Sequence, residues 1–298
     1  MGKVIKWGLL GLGMTILLLL VWGSLIEPYL TDVERETAMI PNLPSSWQGR
    51  QVGVIGDFQV GMWGDNEATV RKAVRQLVEL HPHVVLLLGD FVYHAPQNSE
   101  NSVQTVVQAL IPLMQAKIPT YAVLGNHDYQ VNELGEKPNT DLAHRLESEL
   151  EAIGVTVLHN EVVALPGQNP GEPSLSLVGI DAFQPQLDKP VGVFNGIPED
   201  KPRLVMMHNP ASFASVPESA APFAVAGHTH GGQIRVPFTP EWSYLTYLQS
   251  EPVHADGWIN GYGKRGNRLY VNRGIGFSIL PLRINCMPEV TLFTLQGV

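Results

Sequence analysis

The chain has 298 residues, of which 44% are hydrophobic, so it can bury a full core and a mainly disordered chain is excluded. Its formal net charge of −9 disfavours nucleic acid as the main partner, because nucleic-acid binders usually present a basic surface. Cys286 is the single cysteine, which excludes an internal disulfide framework and a thiolate metal cluster. Any metal site must therefore use histidine, carboxylate or amide side chains.

The first segment, residues 1–30, is predicted to be an N-terminal transmembrane anchor. Residues 7–26 carry no charge and, at about 1.5 Å per residue, span roughly 30 Å, the thickness of the bilayer hydrocarbon core. A cleaved signal peptide is the alternative, but no small-x-small cleavage site follows the run. Lys3 and Lys6 precede the run and acidic residues follow it, which predicts a single pass with a cytoplasmic N-terminus and the bulk of the chain on the periplasmic or extracytoplasmic side. A helix lying along the membrane surface is the other alternative.

Residues 31–47 are predicted to be a linker, and residues 48–298 a single α/β domain. Strands are predicted over 51–57, 83–90, 119–128, 155–160, 175–183, 203–210 and 223–232, and helices over 66–80, 101–115 and 140–154. The early strands alternate with the helices, which is typical of a sheet that carries helices on its faces.

Polar residues follow the ends of these apolar strands. They are Asp57, Asp90, Asn126, His127, Asp128, His208, His228 and His230. Open α/β sheets place their sites at this edge, so we expect these side chains to meet there. A lone histidine after a strand is more often structural, but buried unpaired carboxylates are costly, and cations at the centre would explain so many polar strand ends.

The number of these side chains fits two metal ions better than one. Asp90 is the best candidate for a carboxylate that bridges two ions about 3.5–4 Å apart. A mixed oxygen and nitrogen set suits divalent transition metals such as Mn, Fe or Zn better than Ca²⁺, which prefers oxygen alone. Two such ions can clamp a phosphoryl group and generate hydroxide at neutral pH.

These motifs resemble those of the calcineurin-like metallophosphoesterases. The matching residues are Gly-Asp at 56–57 and 89–90, GNHD at 125–128, His208, and GHTH at 227–230. The segments GHTHGGQIRVP, YVNRGIGF and PLRINCMPEV look like the membrane-anchored branch, whose relatives include UDP-2,3-diacylglucosamine hydrolases and general phosphodiesterases. The resemblance covers about residues 45–298 and implies a four-layer α/β/β/α sandwich of two sheets.

The resemblance also implies a role for each residue. One ion would be held by Asp57, Asp90 and His230, and the other by Asp90, Asn126, His208 and His228. His127 would be the general acid or would stabilise the leaving oxygen, and Asp128 would orient its imidazole. A metal-bridging hydroxide would attack a phosphate ester, with a phosphodiester or pyrophosphate bond of a lipid-linked substrate as the expectation.

The first motif departs from the family pattern, because Gln59 stands where the family commonly has histidine. Three interpretations are open. Gln59 binds a metal through its carbonyl oxygen; or it lies outside the ligand set, which leaves one metal with too few ligands; or Tyr93 replaces the missing imidazole ligand. The third interpretation follows from Gly89-Asp90-x-x-Tyr93, which looks like the purple acid phosphatase motif, whose tyrosinate binds ferric iron. Gln59 also supports an alternative function, a non-catalytic membrane-anchored binding module with a structural or degenerate metal site, against which His127 and Asp128 argue.

Two further features are candidates for substrate contact. Five arginines could contact phosphate: Arg235, Arg265, Arg268, Arg273 and Arg283. The aromatic-rich segment 238–252 is either a lid or ordinary core.

Overall fold

The computed structural model describes residues 2–64, 66–93, 99–165, 171–236, 239–243 and 254–298. The α-helices in these ranges are α1 (Gly2–Leu25), α2 (Glu67–Leu80), α3 (Ser99–Gln115) and α4 (Thr140–Ala152). The strands are β1 (Asp32–Ile40), β2 (Gln51–Ile55), β3 (Val84–Leu87), β4 (Thr120–Ala122), β5 (Thr156–Val157), β6 (Glu161–Leu165), β7 (Leu175–Ile180), β8 (Arg203–Met207), β9 (Ala224–Ala226), β10 (Arg235–Val236), β11 (Thr239–Ser243), β12 (Gly257–Ile259), β13 (Leu269–Val271) and β14 (Glu289–Gly297). Most of the segment 238–252 lies outside the described residues.

Two six-stranded sheets form the body of the fold. The first sheet has the order β1-β14-β2-β3-β4-β5; β2 to β5 are parallel to one another, whereas β14 is antiparallel to β2. The second sheet has the order β12-β13-β9-β8-β7-β6, and β13, β9, β8 and β7 are parallel. The parallel strands of each sheet deliver their carboxyl ends to one edge, where α/β proteins place their sites.

The apolar strands pack on both faces, which explains their nearly continuous hydrophobic sequences. Leu86 on β3 contributes to the core that also contains Leu204 and Met206 of the second sheet. The neighbouring Leu87 contributes to a different core, shared with the buried faces of α2, α3 and α4. Successive strand residues point to opposite faces, so β3 fills the space between the sheets and the space under the helices at once.

The outer face of the second sheet has a different cover. Val178, Val205 and Val271 pack there with Phe194 and Phe213. The two phenylalanines belong to short 3-10 helices rather than to α-helices. The predicted mixed α/β class is confirmed, while the outermost helical layer on this side stays a prediction.

The segment that was predicted as a linker is part of the first sheet. Residues 32–40 form β1, which pairs in parallel with β14 over nine residues, so the prediction of a linker is wrong there. Only its last residues are buried, with Ala38 and Ile40 in the core between the sheets. The polar, half-exposed remainder of this edge strand hides the alternation that would have revealed it.

The N-terminal helix projects from this body. Within the described residues, Lys3–Tyr29 is a candidate membrane span by length and composition, and little of it is buried. Its apolar side chains are exposed along the helix, from Val4 to Leu25. Such exposure is unusual in water and is what a lipid environment would accept.

Candidate metal centre

The predicted site residues converge at the facing edges of the two sheets. Atoms of Asp90, His208 and His228 lie within 4.8 Å of one another, and so do atoms of Asp57, Asp90 and His230. Asp90 belongs to both groups. The arrangement therefore offers two adjoining ligand groups that share one carboxylate.

The two sheets supply different kinds of side chain. Asp57, Asp90 and Asn126 follow β2, β3 and β4 of the first sheet, whereas the three histidines follow β8 and β9 of the second. Several of these residues have positive φ angles, namely Asp57, Asp90, His228 and His230. Positive φ is uncommon outside glycine and is often found at functional sites, where the surrounding structure holds the strained backbone.

Glycines allow the loops to approach the carboxylates. A Cβ atom on Gly125 would lie 2.6 Å from the backbone nitrogen of Asp90 and closer still to its carboxylate. A Cβ atom on Gly227 would lie 2.7 Å from Oδ2 of Asp57. Any side chain at these positions would push the strand ends apart.

Hydrogen bonds aim the nitrogen and amide ligands into the site. Nδ1 of His208 donates to the Leu88 carbonyl at 2.8 Å, which leaves Nε2 facing Oδ1 of Asn126 at 3.1 Å. The Asn126 amide nitrogen donates to the Val131 carbonyl at 2.7 Å, which turns its oxygen inward. A backbone partner that fixes the tautomer and ring orientation is typical of metal-ligating histidines.

The buried charges of the site are strongly coupled. Burial raises the pKa of the Asp57 carboxyl to about 7, and the nearby Asp90 charge adds to the rise while His208 opposes it. Burial also disfavours ionised Asp90, but the charges of His208 and His127 outweigh it and hold the pKa of that carboxyl well below its usual range. Burial and the charge of His208 lower the pKa of His228 to about 3, so His228 is a neutral imidazole with a free lone pair. Buried carboxylates and a neutral imidazole are donors that a divalent transition-metal ion binds readily.

The Gln59 amide lies inside the ligand cluster. Its nitrogen is 2.7 Å from Oδ2 of Asp90 and 3.4 Å from Nε2 of His230, and its buried Oε1 has no hydrogen-bond partner among the described residues. Ligands at about 2.1 Å from one ion, at right angles, lie roughly 3 Å apart, so these separations match neighbours in one coordination sphere. Rotation of the amide by a half turn exchanges its oxygen and nitrogen and presents Oε1 to the site.

The Asp128 carboxylate bonds to backbone groups of two loops. It accepts hydrogen bonds from four backbone N–H groups at 2.8–3.2 Å, those of Asp90, Phe91, Val92 and Gly125. These bonds use both oxygens, because the turn after β4 points the side chain back under the loop. Asp128 therefore holds the two loops together, and its role in orienting the imidazole of His127 stays a prediction.

Tyr93 contacts the His127 ring. The two rings stack with their centroids 5.2 Å apart and an interplanar angle of 23°. The backbone N–H of His127 donates to Oδ1 of Asp90 at 2.9 Å, and its Nε2 lies 4.0 Å from Oδ2 of Asp90. His127 thus stands at the rim of the cluster with its ring fixed from one side.

The five candidate arginines are all engaged elsewhere. Arg273 pairs with Asp32, Glu34, Asp256 and Glu289; Arg235 pairs with Asp256; Arg265 pairs with Glu218; and Arg268 lies over the Trp258 ring. Arg283 is fully buried and donates to the carbonyl oxygens of Arg273, Gly274, Gly276 and Cys286. Sequence reasoning missed this structural role of Arg283, because its partners are backbone carbonyls that no side-chain pattern reveals.

The chain is similar to a known protein family and to several of its members. The model for calcineurin-like phosphoesterases matches residues 50–232. Phosphodiesterase YaeI of Escherichia coli strain K12 is 32% identical over 76% of this chain and 75% of its own length. UDP-2,3-diacylglucosamine pyrophosphatase LpxG of Chlamydia muridarum is 25% identical over 86% of this chain and 87% of its own length. A transmembrane protein with a metallophosphoesterase domain from Bos taurus is 24% identical over 91% of this chain and 57% of its own length.

The chain belongs to the calcineurin-like phosphoesterase family. It is a metal-dependent phosphoesterase, and the predicted hydrolase class is confirmed. The family uses a dinuclear divalent metal site, and the two ligand groups around Asp90 are candidates for it. The apolar helix and the transmembrane relative support a membrane protein.

Proposed function

We propose that the chain hydrolyses a phosphodiester or pyrophosphate bond at a centre of two transition-metal ions. The observation that carries the proposal is the convergence of two ligand groups on the shared Asp90 carboxylate. Asp57, Asp90 and His230 would hold one ion, and Asp90, Asn126, His208 and His228 the other. When bound, two such ions supply a nucleophile at neutral pH and neutralise charge on the phosphoryl oxygens.

Gln59 completes the first ion's ligand set in this proposal. Its unpartnered buried Oε1 and its separations from Asp90 and His230 support a role as a ligand through oxygen. Gln59→His should keep both ions and shift the preference of the first site toward metals that favour imidazole, whereas Gln59→Ala should weaken one ion selectively. Equal metal content and affinity in all three proteins would exclude Gln59 as a ligand.

His127 protonates the leaving oxygen. Its ring lies at the rim of the cluster, 11% exposed, where an ester oxygen can reach it. Stacking on Tyr93 fixes the plane of the ring, so its proton points in one direction. His127 and Tyr93 thus form the acid side of the site.

The substrate would be a lipid-linked phosphate, and the enzyme would be anchored beside it. The names of YaeI and LpxG support a diester or pyrophosphate bond, and LpxG is named for a lipid-bearing substrate. The helix α1 would cross the membrane once, with Lys3 and Lys6 on the cytoplasmic side. A reporter enzyme fused after Val298 should be active only outside the cytoplasm, and activity inside would contradict this orientation.

Hydrolysis of bis-p-nitrophenyl phosphate by the purified full chain tests the proposed reaction. Activity should depend on added Mn²⁺ or another transition metal and should be lost with a chelator. His127→Ala should keep the metal content and lower the rate by about 10²–10⁴-fold, the range for a general acid. Absence of metal-dependent turnover, together with an unchanged His127→Ala variant, would refute the proposal.

A further inference from the structure

Large apolar side chains are exposed beside the end of α1. Trp63, Ile279, Leu280 and Met287 have exposed fractions of 73%, 54%, 38% and 38%, and we call these four residues the interfacial patch. Scattered exposed apolar residues are ordinary, but a connected group of them marks a contact surface. The contacts around the patch identify what that surface meets.

One side of the patch is attached to α1. The Gly23 carbonyl accepts a hydrogen bond from the backbone N–H of Arg283 at 2.8 Å. A Cβ atom on Gly23 would lie 2.8 Å from the Leu282 side chain, so the helix and the loop are in close contact. Met287 lines the same cavity as Leu19, which lies one helical turn before Gly23 in α1.

The other side of the patch is formed by the loop that carries Trp63. A Cβ atom on Gly64 would collide with Pro281 and would lie 2.7 Å from the Phe277 ring. Trp63 therefore lies next to the segment that carries Ile279 and Leu280. The patch is one surface that runs from α1 across residues 277–287 to the loop at Trp63.

The attachment to α1 sets the depth of this surface in a bilayer. Leu19 lies seven residues before Ile26, the end of the apolar run, which is about 10 Å along the helix axis. If α1 spans the membrane, a loop that bonds to Gly23 and shares a cavity with Leu19 must reach below the level at which the apolar run ends. A depth of about 5–10 Å is that of apolar groups that insert at the boundary of headgroups and acyl chains.

The same segment packs directly against the metal centre. The backbone N–H of Gly276 donates to the Asp57 carbonyl at 2.7 Å, and the Gly276 carbonyl faces Nδ1 of His230 at 3.4 Å. Gln233 bonds to both Ser278 and Leu280, at 2.9 and 2.8 Å. Ile279 follows Gly276 by three positions, and an extended chain covers at most about 3.5 Å per position, so the patch begins within roughly 10 Å of the candidate ligands.

We propose that the interfacial patch inserts into the leaflet from which α1 emerges and holds the metal centre at the level of the lipid headgroups. The substrate class is then a phosphate ester whose apolar part stays in the bilayer while its phosphate reaches the ions. This proposal rests on the proposed phosphoesterase function and on α1 as a membrane span. It adds a second membrane contact that fixes the orientation of the domain.

The backbone conformation at Ile279 supports a functional role for its exposed side chain. Ile279 has a φ angle of +65°, a conformation that a β-branched residue rarely adopts and that glycine or asparagine adopts readily. The fold thus keeps a large apolar side chain in solvent at a position that disfavours it. Ile279→Asn should therefore raise the melting temperature in detergent while weakening contact with lipid, two opposite effects that a purely structural role would not produce.

Lipid-borne quenchers measure the insertion directly. The full chain, with Ile279→Cys labelled by a polarity-sensitive fluorophore, is reconstituted into vesicles of phosphatidylcholine and phosphatidylglycerol. Cys286 is buried, so the introduced thiol is the accessible one, and the unsubstituted chain serves as the labelling blank. The emission should shift to the blue and should be quenched by lipids brominated on their acyl chains.

Val162→Cys is the matched control. Val162 is also exposed and β-branched, but it lies on β6, at the far edge of the second sheet. The strand that leads into the patch segment is β13, which is four strands and roughly 19 Å from β6. Its label should be neither shifted nor quenched. A label at residue 279 that behaves like the label at residue 162 would overturn the proposal. A blue shift at residue 279 without quenching would also overturn it, because protein rather than lipid would then cover the patch.

A label at position 63 separates the effect of the patch from that of the anchor. Trp63→Cys should be quenched like Ile279→Cys, and the quenching should be lost when Ile279→Asn is added. Quenching that persists in the double variant would show that α1 alone sets the depth, and would overturn the role of the patch.

Hydrolysis of the soluble ester bis-p-nitrophenyl phosphate distinguishes failure of this proposal from failure of the proposed function. Ile279→Asn should leave that rate unchanged. Metal-dependent hydrolysis without quenching at residue 279 would reject the membrane contact and keep the phosphoesterase. Quenching without hydrolysis would support the contact and reject the substrate class.

Discussion

The two sheets contribute to the metal centre in different ways. In the proposed centre the first sheet would supply oxygen ligands from Asp57, Asp90 and Asn126, and the second would supply imidazoles. Together they give a mixed oxygen and nitrogen donor set, which suits divalent transition metals, and Asp90 lies in both candidate ligand groups. The candidate site is therefore assembled where the two sheets face each other, and variants on either sheet should change its metal content.

The largest effect should follow from Asp90→Asn, which removes the carboxylate common to both ligand groups. We expect loss of both ions and a fall in rate of more than about 10³-fold, because the attacking and leaving oxygens lose their counter-charges together. Metal analysis and the rate with bis-p-nitrophenyl phosphate check this. His208→Gln, on the second sheet, should lose one ion only, and Asp141→Asn, an exposed carboxylate on α4, should change neither.

Asp128→Asn should act on stability more than on chemistry. The substituted amide can accept through one oxygen only, so two or more of the four backbone N–H groups would lose their partner. We expect the free energy of unfolding to fall by about 2–3 kcal/mol, which is the cost of leaving buried donors unsatisfied. Thermal unfolding of the metal-free protein measures it. A lower rate with unchanged stability would instead support the predicted role in orienting His127.

Variants of Tyr93 test whether this residue positions the His127 ring or binds a metal ion through its hydroxyl. Tyr93→Ala should lower kcat by about 10–10²-fold because the His127 ring loses its stacking partner and its fixed direction. Tyr93→Phe keeps the ring and should stay within about threefold of the parent rate. Equal, large losses of activity and metal in both variants would favour the hydroxyl as a ligand. A charge-transfer band in iron-loaded parent protein would point the same way.

The smallest effect concerns the contacts of His159, which lie away from the metal centre and join α4 to the second sheet. The hydrogen bond with Asp181 on the second sheet, with help from Glu147 on α4, raises the pKa of the His159 imidazole from 6.5 to about 9 against the effect of burial. The stabilisation is therefore fully present below pH 6.5 and is lost as the pH rises to about 9. Because the pair is partly exposed, we expect it to contribute about 1–2 kcal/mol.

Unfolding of the parent and of His159→Gln across this pH range measures that contribution. The two should differ most below pH 6.5 and converge near pH 9. His144→Gln, an exposed histidine on α4, is the control and should follow the parent. A difference that stays constant with pH would show that His159 acts through packing rather than charge.

The sequence predicted the elements that carry strong local patterns and missed a strand that lacks one. The strand at 83–90 and the helix at 66–80 carry strong local patterns, and the structure has β3 and α2 there. The strand at 32–40 was missed because its residues are mostly polar and its partner β14 lies about 250 positions away. Long-range pairing of this kind leaves no trace in a local window.

The same limit applies to the site. The strand-end residues were predictable because each follows an apolar run, and parallel strands must end at one edge. The partners of Asp128 were not, because all four are backbone groups and three of them lie 36–38 positions earlier in the chain. The Tyr93–His127 stack depends on the path of two loops, which residue identity alone does not specify.

The most direct test of a dinuclear centre shared by both sheets is the number of ions bound per full chain. Elemental analysis of purified, active protein should give two transition-metal ions per chain, with one retained after Asp57→Asn or after His228→Gln. Full activity with a single bound ion, or ligand variants that leave the metal content unchanged, would contradict the account.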